Sequence, residues 1–165
     1  MYKERTGELE QKLLELINKL NSQNTILIDT SFLIYHFEDI KPYSDITEEI
    51  LNNIGIKNSK IFLSIVSFTE VLVGLLNQEK PDLEKTFKDF IPNNPFISIV
   101  DFTYDISETA ARIRSETGLG LADSIIIATA VKIKSSFLLT NDNEFLKVKR
   151  KNIKIIMLDD LVITR

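Results

Sequence analysis

Five short apolar runs, separated by stretches of helical character, limit what this chain can fold into. They are TILID (25–29), IFLSIV (61–66), ISIV (97–100), FLLT (137–140) and KIIML (154–158). Runs this short and this rich in Ile, Leu and Val suit strands covered on both faces. The stretches between them carry helix-start signals. Asp45 with Glu48, Ser67 with Glu70 and Asp105 with Glu108 have the spacing of capping boxes. Pro42, Pro81, Pro92 and Pro95 fall in the joints. Strand–helix alternation on this scale predicts an α/β fold, a mostly parallel sheet sandwiched by helices. We expect one such domain over 24–165, preceded by a helical extension over 1–23. In the extension Leu9, Leu13, Leu16 and Leu20 recur at four- and three-residue steps, with Leu14 and Ile17 widening the stripe. That face packs on its own domain or serves a partner or dimer helix.

Bulk composition removes several function classes. The chain has 165 residues, 44% apolar and 27% charged, the balance of one globular domain. A net charge of −4 argues against a chain coated in positive charge for nucleic acid, though a small basic track beside an acidic site is compatible with it. Cysteine is absent, which excludes a thiolate nucleophile and a cysteine zinc site. The start, MYKERTGELE, lacks the apolar core of a signal peptide, and no run is long enough to span a bilayer. A cytoplasmic protein with no membrane partner is expected. There is no G-x-x-x-x-G-K, no G-x-G-x-x-G and no G-x-S-x-G. The one histidine, His36, lies in the apolar FLIYHF and reads as a packed or surface residue.

Acidic residues then become the candidates. Ligands of an open parallel sheet gather at the carboxyl ends of its strands. Asp29 closes the first run, Glu70 follows the second in the next helix, and Asp142 follows the fourth. A helix over about 121–134 feeds that fourth strand almost directly, so packing antiparallel to it would bring Asp123 to the same rim. LADSIIIATAVKI is apolar nearly all round, and a carboxylate in the first turn of a buried helix needs a partner. Each acid also has a plainer reading: Asp29 as an N-cap, Glu70 as the end of its capping box, Asp123 at a favourable helix terminus, Asp142 in a turn. Four acids on one rim, however, repel one another unless a cation joins them. Hard ions such as Mg²⁺ or Mn²⁺ prefer such oxygens and assist phosphodiester hydrolysis.

The ordered segments ILIDTSFLI, SFTEVLVG, GLGLADSIIIATA and LLTNDNEF resemble the motifs of PIN-domain nucleases, over about Thr25 to Leu158. The resemblance implies a five-stranded parallel sheet with helices on both faces. It implies a metal-dependent endoribonuclease whose site acids are Asp29, Glu70, Asp123 and Asp142. It further implies supporting roles for Ser31, Thr140 and Glu144. Many small members are VapC-type toxins that form homodimers and are silenced by an antitoxin protein. Lys147, Lys149, Arg150, Lys151 and Lys154 crowd after Asp142 and form a candidate RNA track or a solvated basic loop. The alternatives are a PIN-like scaffold that binds RNA or protein without cutting, and an aspartate-based phosphohydrolase. The second would want an aspartate where Ser31 stands.

Overall fold

The five apolar runs form one sheet in the order β3-β2-β1-β4-β5, and every neighbouring pair is parallel. The computed structural model describes residues 2–149 and 152–162, with side chains from residue 11 onward. Its strands are β1 (Thr25–Ile28), β2 (Lys60–Ser64), β3 (Ile97–Val100), β4 (Phe137–Thr140) and β5 (Lys154–Met157). Its helices are α1 (Tyr2–Lys19), α2 (Thr30–Phe37), α3 (Tyr43–Lys57), α4 (Ile65–Asn77), α5 (Pro81–Phe90), α6 (Tyr104–Thr117) and α7 (Leu121–Lys132). Two 3₁₀ turns, Asn143–Lys147 and Leu158–Leu161, follow β4 and β5. No described helix is long and apolar enough to cross a membrane.

Alternation along the strands divides the core in two. Ile26 and Ile28 pair with Ile61 and Leu63 on one side and with Phe137 and Leu139 on the other. These residues face a cluster shared with α1 to α5. Leu27 pairs with Phe62 and Leu138, and this row faces a second cluster with α6 and α7. Helix α7 is buried continuously from Ser124 to Ala130, as its apolar circumference demands.

Helix α1 packs on the first cluster through Leu13, Leu16 and Ile17, joined by Leu20 just past its end, all buried. Leu14, expected to widen the stripe, is 56% exposed instead. The side chain of Leu9 lies outside the described residues.

The helix starts differ from the expected boxes. Helix α4 begins straight from β2, and Ser64 caps it by accepting from the Val66 N–H. Ser67 is buried within the first turn, and its hydroxyl has no hydrogen-bond partner. Thr103, not Asp105, caps α6, and Asp105 pairs with Lys132 of α7 at 2.6 Å. Helix α3 starts at Tyr43, which leaves Asp45 inside its first turn. A cap must sit at the last extended residue, and spacing alone does not locate that residue.

Candidate functional site

The sheet order reverses at β1: β2 and β3 lie on one side, β4 and β5 on the other. A crevice opens at such a reversal, outside the carboxyl ends of the two diverging strands. Asp29 follows β1 there and Thr140 ends β4. The Asp29 N–H donates to the Leu139 carbonyl at 3.0 Å, which carries the ladder one residue past the strand. Thr140 Oγ1 donates to Asp29 Oδ2 at 2.7 Å, and Ser31 Oγ donates to the same oxygen at 3.1 Å. Asp29 is the N-cap of α2 by position, but its carboxylate makes no capping bond. It is only 4% exposed. Burial raises its pKa above the ordinary carboxylate value. The Thr140, Thr30 and Ser31 donors oppose that rise, and the nearby Glu70 charge adds to it.

Glu70 lies in the second turn of α4, past the reach of a capping box. Thr30 donates its hydroxyl to Glu70 Oε2. Asp123 lies in the first turn of α7, whose N-cap is Gly120 with no side-chain capping bond. The Asp123 pKa is also raised, first by burial and then by the charges of Asp142, Glu70 and Glu144. Asp142 Oδ1 accepts from the Glu144 N–H at 2.8 Å, so the turn reading holds for that oxygen. The Asp142 N–H in turn donates to Thr140 Oγ1 at 3.1 Å.

The four acids thus come from four separate elements. Glu70 acts on both Asp29 and Asp123, and Asp142 acts on Asp123. Among the described residues no lysine or arginine lies within ion-pair distance of any of the four. Nor do any three histidine or acidic side chains among them close on a common point at metal-ligating spacing. The acids share a rim without forming a cage.

The other candidates divide. Ser31 and Thr140 touch Asp29 directly. Glu144 contributes to the field at Asp123 but is itself paired with Lys147. Lys149 is exposed. Lys154 opens β5 opposite Phe137, at the amino end of the sheet and away from the acids. Arg150 and Lys151 lie outside the described residues. His36 is packed against the rings of Phe37 and Phe90, and its Nδ1 stands 3.2 Å from Thr47 Oγ1.

Two contributors were not singled out from the sequence. Thr30 serves Glu70 across 40 residues, and nothing local signals it. Gly120 has a legible cue, a glycine just before the acidic turn of a helix. Its φ of −54° needs no glycine, but a β-carbon there would stand 2.8 Å from Asp123 Oδ2. Gly118 has the usual reason, a left-handed φ of 74° that ends α6.

Comparison with known proteins agrees with this fold. No curated protein matches the chain. Solved structures share its fold. A toxin–antitoxin complex from Klebsiella pneumoniae is 24% identical with a TM-score of 0.59, over 78% of this chain and 94% of that one. VapBC2 from Rickettsia felis, bound to a DNA fragment from its promoter, is 18% identical with a TM-score of 0.62, over 81% and 98%. The Mycobacterium tuberculosis toxin VapC20, which cleaves the sarcin–ricin loop, is 15% identical with a TM-score of 0.62, over 76% and 99%. The PIN domain model matches residues 26–151, from the strand before Asp29 to beyond Asp142. This chain therefore belongs to the PIN domain family.

Proposed function

We propose that the chain is a divalent-metal-dependent endoribonuclease, with Asp29, Glu70, Asp123 and Asp142 as the acids that hold Mg²⁺ or Mn²⁺. The observation that carries this reading is four carboxylates on one rim with no cationic side chain among the described residues to neutralise them. Buried like charges raise one another's pKa, and an external cation is the partner that removes the penalty. The donor set fits a hard ion, since it consists of carboxylate oxygens without sulfur or imidazole. A bound divalent ion supplies polarisation of the phosphodiester and activation of water.

The chain's own residues prepare the site. Thr140 and Ser31 orient the Asp29 carboxylate, and Thr30 holds Glu70. Such outer hydrogen bonds fix the direction of a ligand. Gly120 leaves room for the Asp123 carboxylate. Glu144 adds negative field at the rim. Of the described members of the basic track, Lys147 and Lys149, soon after Asp142 in the chain, are the ones we assign to contact with an RNA backbone. Residues 1–23 are assigned as an extension to the PIN unit 24–165, and α1 of that extension packs into the same core.

The biological role we assign is that of a VapC-type toxin paired with an antitoxin protein. Its support is the likeness to the Klebsiella and Rickettsia toxin–antitoxin complexes and to the RNA-cleaving VapC20. A cleavage assay on single-stranded RNA tests the enzyme reading. Wild type should cut with Mg²⁺ or Mn²⁺ and stop in chelator, and Asp29→Asn should be inactive. Cutting by Asp29→Asn at the wild-type rate would overturn the assignment, and RNA binding without cleavage would favour a scaffold.

A further inference from the structure

Asp159 stands in the 3₁₀ turn after β5, outside the segment 26–151 that carries the family pattern. Its Oδ1 accepts from Tyr43 Oη at 2.6 Å and from Asn141 Nδ2 at 3.0 Å. Its backbone N–H donates to Asn141 Oδ1 at 2.9 Å. Asn141 Nδ2 also donates to Tyr35 Oη at 3.1 Å, and the Tyr35 and Tyr43 rings stack with centroids 4.3 Å apart. Both ends of the Asn141 amide are therefore engaged, by Tyr35 of α2 and Asp159 of the final turn, and Tyr43 of α3 joins through Asp159. On its main-chain side the Asn141 N–H donates to Ser31 Oγ at 3.0 Å, the hydroxyl that in turn donates to Asp29.

We propose that Asn141 and Asp159 form a positioning pair, holding the loop that carries Asp142 against Ser31 and Asp29 so that Asp142 stays on the rim where a divalent cation would draw the acids together. The inference rests on reading the four acids as a metal site. Asn141 lies between Thr140 and Asp142, so anything that fixes its side chain fixes the main chain from which Asp142 departs. Uncompensated carboxylates push apart, and a loop without a brace would move Asp142 outward. The brace is directional: amide to carboxylate and backbone N–H to amide are made together, and this twofold contact sets orientation.

The test uses the full chain without RNA. Mn²⁺ affinity is measured by calorimetry for wild type, Asn141→Ala, Asp159→Ala, the double variant and Asp159→Asn, with metal-free melting curves alongside. Outer-contact losses of this kind weaken metal binding roughly ten- to a hundredfold. Both alanine variants should show a loss, the smaller one in Asp159→Ala, which keeps the backbone N–H of residue 159 on Asn141, and the double variant should lose little more than Asn141→Ala, which already removes both bonds. Asp159→Asn keeps an oxygen acceptor for Asn141 and Tyr43 and should recover most of the affinity. Cleavage by the alanine variants should fall in kcat with KM for RNA little changed. Wild-type Mn²⁺ affinity in both alanine variants, with only the melting temperature lowered, would overturn the positioning role. A wild-type protein that binds no Mn²⁺ would overturn the metal reading itself, and this inference with it.

Discussion

The Thr140 hydroxyl donates to Asp29 Oδ2 at 2.7 Å across the crevice between β4 and β1, with Thr140 fully buried and Asp29 nearly so. A carboxylate stripped of water needs such donors to remain ionised. Thr140→Val keeps the shape and deletes this donor together with the acceptor of the Asp142 N–H. A hydrogen bond to a charged group contributes about 1.5–3 kcal/mol, and denaturant unfolding of the metal-free variant should show a loss of that order. The variant should also bind Mn²⁺ more weakly. An unchanged midpoint with unchanged Mn²⁺ affinity would mean that this bond does not set Asp29.

Gly120→Ala should act on Asp123 rather than on the backbone. The added methyl would stand 2.8 Å from Asp123 Oδ2, and the carboxylate must turn away to admit it. Alanine loses less unfolded-state entropy than glycine but is the poorer N-cap, and the two effects oppose each other. Metal-dependent cleavage should therefore fall by an order of magnitude or more while the melting temperature in chelator changes little. Activity equal to wild type would show that Asp123 has room to spare.

The strand-end rule placed Asp29, Glu70, Asp123 and Asp142 on one rim from the sequence because strand runs and helix order are recorded in hydrophobicity. Boundaries were less legible. The run IFLSIV continues apolar through Ile65 and Val66, which belong to α4, so the sequence places the strand end two residues late and misses Ser64 as the cap. Hydrophobicity cannot separate a buried strand from the first turn of a buried helix. Thr30 on Glu70 and Asp159 on Asn141 span 40 and 18 residues, and such contacts exist only after the sheet is assembled. Lys154 joined the basic run by sequence proximity, yet β5 places it at the far end of the sheet from Asp142.

Helix α1 is expected to be a structural necessity. Leu16 is 5% exposed in the cluster built on β1 and β4. Leu16→Ala should destabilise by about 2–5 kcal/mol, the usual cost of a buried leucine-to-alanine cavity. Leu14→Ala, one turn face away and 56% exposed, should cost far less. Equal losses for the two variants in urea unfolding would contradict the packing described here.

The pH dependence of the metal-free protein follows from Asp29 and Asp123. Both pKa values are raised, Asp29 chiefly by burial and Asp123 by burial and then by Asp142. A carboxyl with a raised folded pKa binds protons more tightly when folded. It therefore favours the fold below the unfolded value near 3.8, and that contribution is lost as pH rises through the folded pKa. In chelator, the stability curve of Asp123→Asn should fall less than that of wild type as pH rises from 3.8 towards neutrality. Parallel curves would show that Asp123 carries no penalty.

Melting curves with and without Mn²⁺ test the central claim, a single metal site built from four acids. Wild type should gain stability on adding Mn²⁺, about 2.7 kcal/mol at a hundred times Kd. Asp123→Asn should melt higher than wild type in chelator, because one of the repelling charges is gone, and should gain much less from Mn²⁺. A variant that melts lower in chelator and responds to Mn²⁺ as wild type does would contradict a shared metal site and remove the physical basis of the nuclease reading.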